Sequence, residues 1–332
     1  MITSSFAVEL ERGSSRNTRE MLITEVQRGL AMRPRSLAPW MFYDARGSQI
    51  FERITQLPEY YPTRTERNIL ARNGERILAA AFPDRAKALR LVELGAGTGA
   101  KTAILLNAAA RSREDVLYVP VDVSLAALEM ARETITTLSP EVDIAPIVAN
   151  YVTDPPRLES FPGPTLGLYI GSSIGNFAPA EARTILCNLI GQLQAGDALL
   201  LGVDMVKDER TLVAAYDDRQ GVTAAFNVNL LHRLNRELNA DFNPLKFRHR
   251  AFWNPLHSRI EMHLESTCDQ QVRIPGADLH VHFARGEGIH TENSYKFTSE
   301  MIGMLLGDAG FSVEHTWTDE RRWYSVTLAR VR

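Results

Sequence analysis

Three glycines at alternate positions, Gly95, Gly97 and Gly99, stand in the run LRLVELGAGTGAKT, after an apolar stretch and before a helical pattern. Glycine there permits a tight turn and lets backbone approach a ligand closely. Such a loop is compatible with a plain strand–helix turn, a dinucleotide fingerprint or a methyl-donor site. A phosphate loop is excluded, because it must end in Gly-Lys-Ser/Thr and here Gly99 is followed by Ala100, Lys101 and Thr102. The Gly-x-Gly-x-Gly spacing, with Glu93 just before it, favours the methyl-donor reading. Asp122 closes the next apolar run, YVPVDVS, where a carboxylate can accept both hydroxyls of a ribose. Its alternative role, capping the following helix, suits Ser124 better.

The elements that must hold these residues follow from hydrophobic period. Strands are expected at Leu89–Leu94, Leu117–Val121, Ile144–Ala149, Thr165–Ile170 and Ala198–Val203. Helices are expected at about Arg64–Ala81, Ala100–Ala110, Leu125–Thr137 and Ala180–Leu193. This alternation signals a mostly parallel sheet covered on both faces. The end of the chain has another rhythm: a helix at Ser299–Ala309 closed by Gly310, then strands Phe311–Thr318 and Tyr324–Val331, which a short loop obliges to pair antiparallel. Residues 206–235 read as helical, and Arg250–Phe283 alternates like antiparallel strands in RIEMHLEST and ADLHVHF. Residues 1–17 read as loose, and Thr18–Ala31 as a polar helix. The expected division is a domain of residues 64–205 and 295–332, and a cap of residues 1–63 and 206–294.

Composition excludes several classes. The chain has 332 residues, 45% of them hydrophobic and 23% charged, with a net charge of −3. That gives no electrostatic footprint for nucleic acid or an anionic membrane, and no apolar run is long enough to span a bilayer. Two cysteines, Cys187 and Cys268, exclude a disulfide scaffold and a cysteine zinc site. The N-terminus is polar without an apolar core, so a reducing cytoplasm is the expected compartment. Nothing marks an oligomerisation element, so a monomer is the default. His263, His280 and His282 alternate on strand candidates, but no cysteine or acidic motif at ligand spacing accompanies them, and no metal is expected.

The reversed last strand and the glycine loop resemble the seven-stranded class I methyltransferases: an α/β, Rossmann-like sheet, here with an inserted α+β cap domain. Within that class, the stretches MFYDARGSQIFERITQLPEYYPTRTE, VELGAGTGAKT, GSSIGNFAP, GVDMVKDERTLVAAYDD, GVTAAFNVNLLHRLNRELNADF, RIEMHL and GIHTENSYKF resemble the histidine N-alpha-methyltransferases of ergothioneine biosynthesis. They run in that family's order through nearly the whole chain.

The resemblance implies S-adenosyl-L-methionine as cofactor, L-histidine as substrate and the trimethylated betaine hercynine as product. It implies that Gly95, Lys101, Asp122, Asn150 and Tyr151 bind the cofactor. The family has an acid where this chain has Asn150, which keeps a carbonyl acceptor for the adenine amino group and loses a charge. Tyr60, Gly171, Asn176, Tyr216, Met262, Glu292, Asn293 and Ser294 match substrate positions, and Tyr43 and Phe51 line the same pocket. Tyr43 and Asn176 are the candidates for placing the amine. These residue types suit histidine: Glu292 can accept an imidazole N–H and Ser294 can serve the other nitrogen. The stretch Thr291–Lys296 reads as extended, so Glu292 and Ser294 share a face. The alternatives are an N-methyltransferase for another aromatic amino acid, and a non-catalytic nucleoside-binding regulator.

Overall fold

The computed structural model describes residues 19–83, 88–152 and 155–332; the segment expected to be loose, 1–17, lies outside them. The chain divides into two compact units. One comprises Tyr61–Asp208, Pro255–Arg259 and Ser294–Arg332, the other Met1–Tyr60, Glu209–Asn254 and Ile260–Asn293.

In the first of these, one sheet runs in the order Phe311–Thr318, Tyr324–Val331, Ala198–Asp204, Thr165–Tyr169, Ala88–Leu94, Asp115–Asp122 and Asp143–Ile144. Tyr324–Val331 is antiparallel to both of its neighbours, and the remaining pairings are parallel. This is the seven-position sheet with a reversed last strand that the sequence leads one to expect. One difference lies at its edge. The expected strand Ile144–Ala149 is two short pieces, Asp143–Ile144 and Ile147–Val148, both paired to Asp115–Asp122. Pro146, which has no N–H for the ladder, sits in the gap.

Both faces of the sheet are covered at its centre, so the central strands read as apolar runs rather than alternating. Leu89 and Leu91 face a core that takes in Ile69, Leu70 and Ile77 of the helix Tyr61–Ala81. Val92 and Leu94 face the opposite core, which takes in Ile185 and Leu189 of Pro179–Ile190 and Leu306 of Ser299–Asp308. Helix ends are set locally: Ser124 caps Leu125–Leu138 by accepting the Ala127 N–H, and Thr298 caps Ser299–Asp308. Because the central strands are parallel, the segments beginning at Gly95, Val123, Ile170 and Met205 all leave one edge of the sheet. That edge is where open α/β sheets bind ligands.

The other unit holds a helix over 19–31, the helices Ala45–Thr55, Glu209–Ala214 and Val222–Leu238, and most of the strands of two smaller sheets. Asp44 caps Ala45–Thr55 through the Gly47 N–H and also accepts from Asn229 Nδ2 at 2.9 Å, which ties that helix to Val222–Leu238. A four-stranded sheet runs Arg35–Ser36, Gly288–Tyr295, Arg259–Ser266, Phe247–Asn254, and Gln270–Ile274 pairs with Leu279–Phe283 in a separate hairpin. Among the described residues no helix is long and apolar enough to cross a membrane.

Candidate active site

The glycine loop sits at the ligand edge of the large sheet. The Gly95 N–H bonds to Val121 O at 2.8 Å, which pins the loop to the neighbouring strand. Gly95 has φ +69°, and a Cβ there would stand 3.4 Å from the Tyr151 hydroxyl. Any side chain would be strained by that positive φ. Asp122 accepts the Ser124 N–H at 2.9 Å, and the backbone N–H groups of Gly97 and Val123 also point their positive ends toward it. Burial pushes its carboxyl above the usual range, and those three N–H groups hold it down. The helix cap falls to Ser124, as expected. The Tyr151 ring stands edge-on to Tyr169 at 5.9 Å and to Phe177 at 6.4 Å. Burial raises its phenol to about 12, so it stays protonated. Asn150 Oδ1 accepts the Val152 N–H at 3.1 Å, so the carbonyl expected to meet a ligand also folds its own turn.

Lys101 is not a plain surface residue. Its Nζ pairs with Glu66, a carboxylate with no exposed surface. Glu66 also accepts the Gly171 N–H at 2.8 Å and the Tyr324 hydroxyl at 2.7 Å. One buried carboxylate thus fixes both Lys101 and the Gly171 turn, and sequence reasoning missed it. Gly202 makes the room, since a Cβ there would fall 2.1 Å from Glu66 Oε1. That glycine inside the otherwise apolar strand ALLLGVD is the sequence signal of a close approach. After Gly171 the chain turns through Ser172, at φ 60°, into the 3-10 turn Ser173–Asn176, which carries Asn176 at its end.

Glu93 lies beneath the loop and is also buried. It accepts from Thr102 Oγ1 at 2.7 Å and from the Tyr118 hydroxyl. Burial raises its carboxyl to about 7, against the pull of those two donors. A carboxyl that holds its proton more tightly when folded costs stability as it ionises. Stability is therefore unaffected by this group below its unfolded value, falls as pH rises to about 7, and stays reduced above. The cost is about 3 kcal/mol at full ionisation. In urea unfolding between pH 5 and 8, wild type should lose more stability than Glu93→Gln; equal slopes would contradict this account of Glu93.

In the other unit the expected aromatic positions meet. Tyr43 stands edge-on to Phe51 at 5.7 Å, Phe51 to Tyr60 at 6.3 Å, and Tyr60 to Tyr216 at 6.1 Å. Phe226, which the sequence did not single out, packs against Tyr43 at 5.8 Å and Phe51 at 5.9 Å. The Tyr216 carbonyl meets His249 Nε2 at 2.9 Å, and burial lowers the His249 pKa, which keeps that ring neutral. Met262 is buried on Arg259–Ser266, and its carbonyl accepts from Thr291 Oγ1 at 3.0 Å. Glu292 and Ser294 are both buried on the strand Gly288–Tyr295. Asn293, between them, turns to the opposite face by strand alternation, and its Oδ1 is buried without a hydrogen-bond partner.

The histidine trio weighed for metal separates: His280 and His282 lie in the hairpin and His263 in the four-stranded sheet. His263 instead meets Glu261 and His290, and their ligating atoms lie within 4.8 Å of one another. Its Nε2 is hydrogen-bonded to Glu261 at 3.0 Å and its ring stacks on Phe252.

Comparison with known proteins bears on what these groups do. The model of the SAM-dependent, histidine-specific methyltransferase family matches residues 22–331. The chain is 44% identical to the histidine N-alpha-methyltransferase of Mycolicibacterium smegmatis, over 93% of this chain and 95% of that one. It is 41% identical to that of Mycobacterium tuberculosis, over 92% and 93% respectively. It is also 28% identical to ergothioneine biosynthesis protein 1 of Neurospora crassa, over 90% of this chain and 34% of that one. With the glycine loop, the strand-end acid and the reversed last strand in place, the chain belongs to the histidine-specific methyltransferases, enzymes that depend on S-adenosylmethionine.

Proposed function

We propose that the chain transfers three methyl groups in succession to the α-amine of L-histidine, forming hercynine in ergothioneine biosynthesis. The observation that carries this reading is the strand Gly288–Tyr295, which sets Glu292 and Ser294 two residues apart, both buried. Strand alternation gives one face an acceptor beside a hydroxyl, which are the complements of an imidazole's two nitrogens. The aromatic group of Tyr43, Phe51, Tyr60 and Tyr216 supplies a wall for a flat ring.

On this reading Gly95, Lys101, Asp122, Asn150 and Tyr151 hold S-adenosylmethionine. The left-handed turn at Gly95 and the strand-end carboxylate of Asp122 suit a nucleoside. Tyr60, Gly171, Asn176, Tyr216, Met262, Glu292 and Ser294 form the histidine site, and Asn293 supports it from the opposite face of the same strand. Residues 64–205 and 295–332 form the methyltransferase domain, and residues 1–63 and 206–294 the substrate-binding cap. The enzyme works as a monomer in a reducing cytoplasm.

When bound, S-adenosylmethionine supplies a methyl group already activated by its sulfonium, so the protein's share is alignment. The amine must be neutral to attack, whereas an α-ammonium is mostly protonated at neutral pH. Asn176 and Tyr43, neither a strong base, position the amine by hydrogen bonds, and one proton leaves to water before each of the three rounds. Glu292 and Ser294 anchor the far end of the substrate, which fixes where the amine lies.

Asp122→Ala removes the ribose acceptor and should weaken S-adenosylmethionine binding by about 1.5–3 kcal/mol, the range for hydrogen bonds to charged groups. Calorimetry reads this directly, and unchanged affinity would contradict the assignment. The substrate is tested by comparing kcat/KM for histidine, tryptophan, tyrosine and phenylalanine. Histidine should exceed the others by orders of magnitude; preference for another ring would refute the reading of the pocket.

A further inference from the structure

Lys296 has no exposed surface, although it is the residue just past the strand that carries Ser294. Its Nζ donates to Ser294 Oγ at 2.8 Å and lies 2.9 Å from Asp204 Oδ2. Asp204, the last residue of Ala198–Asp204, is itself buried. It accepts from the Tyr61 hydroxyl at 2.8 Å and from Lys207 Nζ at 2.6 Å, while its N–H donates to Ser172 Oγ at 2.9 Å. A buried cation and carboxylate tied this way have no low-cost alternative arrangement, because separating them strands charge away from water. Lys296 is therefore held in place, and with it the direction of the Ser294 hydroxyl. An oxygen that accepts from an ammonium turns its own hydrogen away from it.

We propose that Lys296, held by Asp204, is a positioning residue that fixes Ser294 as a hydrogen-bond donor. The pair Glu292 and Ser294 then selects one neutral tautomer of the substrate imidazole. A neutral ring carries one N–H and one lone pair, whereas a charged ring carries two N–H groups. The N–H goes to Glu292 and the lone pair receives the Ser294 hydrogen. Without Lys296 the hydroxyl loses the ammonium that turns its hydrogen away, and the second contact weakens. The inference rests on the proposed reading of Glu292 and Ser294 as substrate contacts.

The test is a double-mutant cycle on the full chain, with histidine KM, kcat and S-adenosylmethionine affinity measured for Lys296→Met, Ser294→Ala and the double variant. Lys296→Met should raise the histidine KM about 10-fold, with kcat and cofactor affinity nearly unchanged. In the Ser294→Ala background it should add nothing further. Lys296→Gln, which keeps an N–H donor without the charge, should return KM close to wild type, and it carries the test if the Met variant does not fold. Equal penalties in both backgrounds, lost cofactor affinity, or a Gln variant whose histidine KM rises about 10-fold would overturn the positioning role alone. A Ser294→Ala variant with unchanged histidine KM would overturn the pocket reading, and the proposal with it.

Discussion

Glu292→Ala should lower kcat/KM for histidine by roughly 100-fold, the upper end for loss of a hydrogen bond to a charged group. S-adenosylmethionine binding should stay within about twofold of wild type, because the residue speaks only to the amino-acid ring. A carboxylate built to accept a ring N–H discriminates more strongly than an apolar wall, since a substrate without that N–H leaves it partly desolvated and unpaired. Met262 is buried on Arg259–Ser266 and serves as the wall that limits ring size. Adding Met262→Val should therefore let tryptophan compete in the double variant. The readout is the ratio of kcat/KM for histidine to that for tryptophan across wild type, single and double variants. A Glu292→Ala enzyme that keeps its histidine preference would show Glu292 to be uninvolved in recognition.

Glu66→Ala should unfold the protein more easily than any other single change considered. It strands Lys101, the Gly171 N–H and the Tyr324 hydroxyl at once. Removing one partner of a buried ion pair costs about 3–5 kcal/mol. The melting temperature should fall by roughly 4–7 °C. Glu66→Gln should fall less, because its amide oxygen can keep accepting while only the charge is lost. Thermal unfolding of both variants decides this, and an Ala variant as stable as wild type would mean the network is incidental.

These two residues differ in how readable they are from sequence. Glu292 stands in GIHTENSYKF, a stretch whose resemblance to a family and whose alternation both single it out. Glu66 lies between Arg64 and Arg67 in a helix that reads as a polar surface. Nothing local tells which charge turns inward, and its partners Gly171 and Tyr324 lie 105 and 258 positions away. Lys296 and Asp204 were missed for the same reason, since each looks like the polar end of a strand. The parallel sheet was legible because strands covered on both faces are written as unbroken apolar runs, as in Ala198–Asp204. The C-terminal pair Phe311–Thr318 and Tyr324–Val331 was legible because its short loop leaves no other pairing. The histidines at 263, 280 and 282 show the limit. Alternation marks a strand but not its sheet, and only the register Gln271↔His282 and Arg273↔His280 separates the hairpin from its neighbour.

The central claim, successive methylation of the histidine α-amine, is tested most directly by incubating the purified protein with excess S-adenosylmethionine and histidine and fragmenting the product by mass spectrometry. The account predicts three added methyl groups, all on the α-nitrogen, and three molecules of S-adenosylhomocysteine for each hercynine. Methyl groups on the imidazole, a product that stops at one methyl, or no transfer to histidine would contradict it.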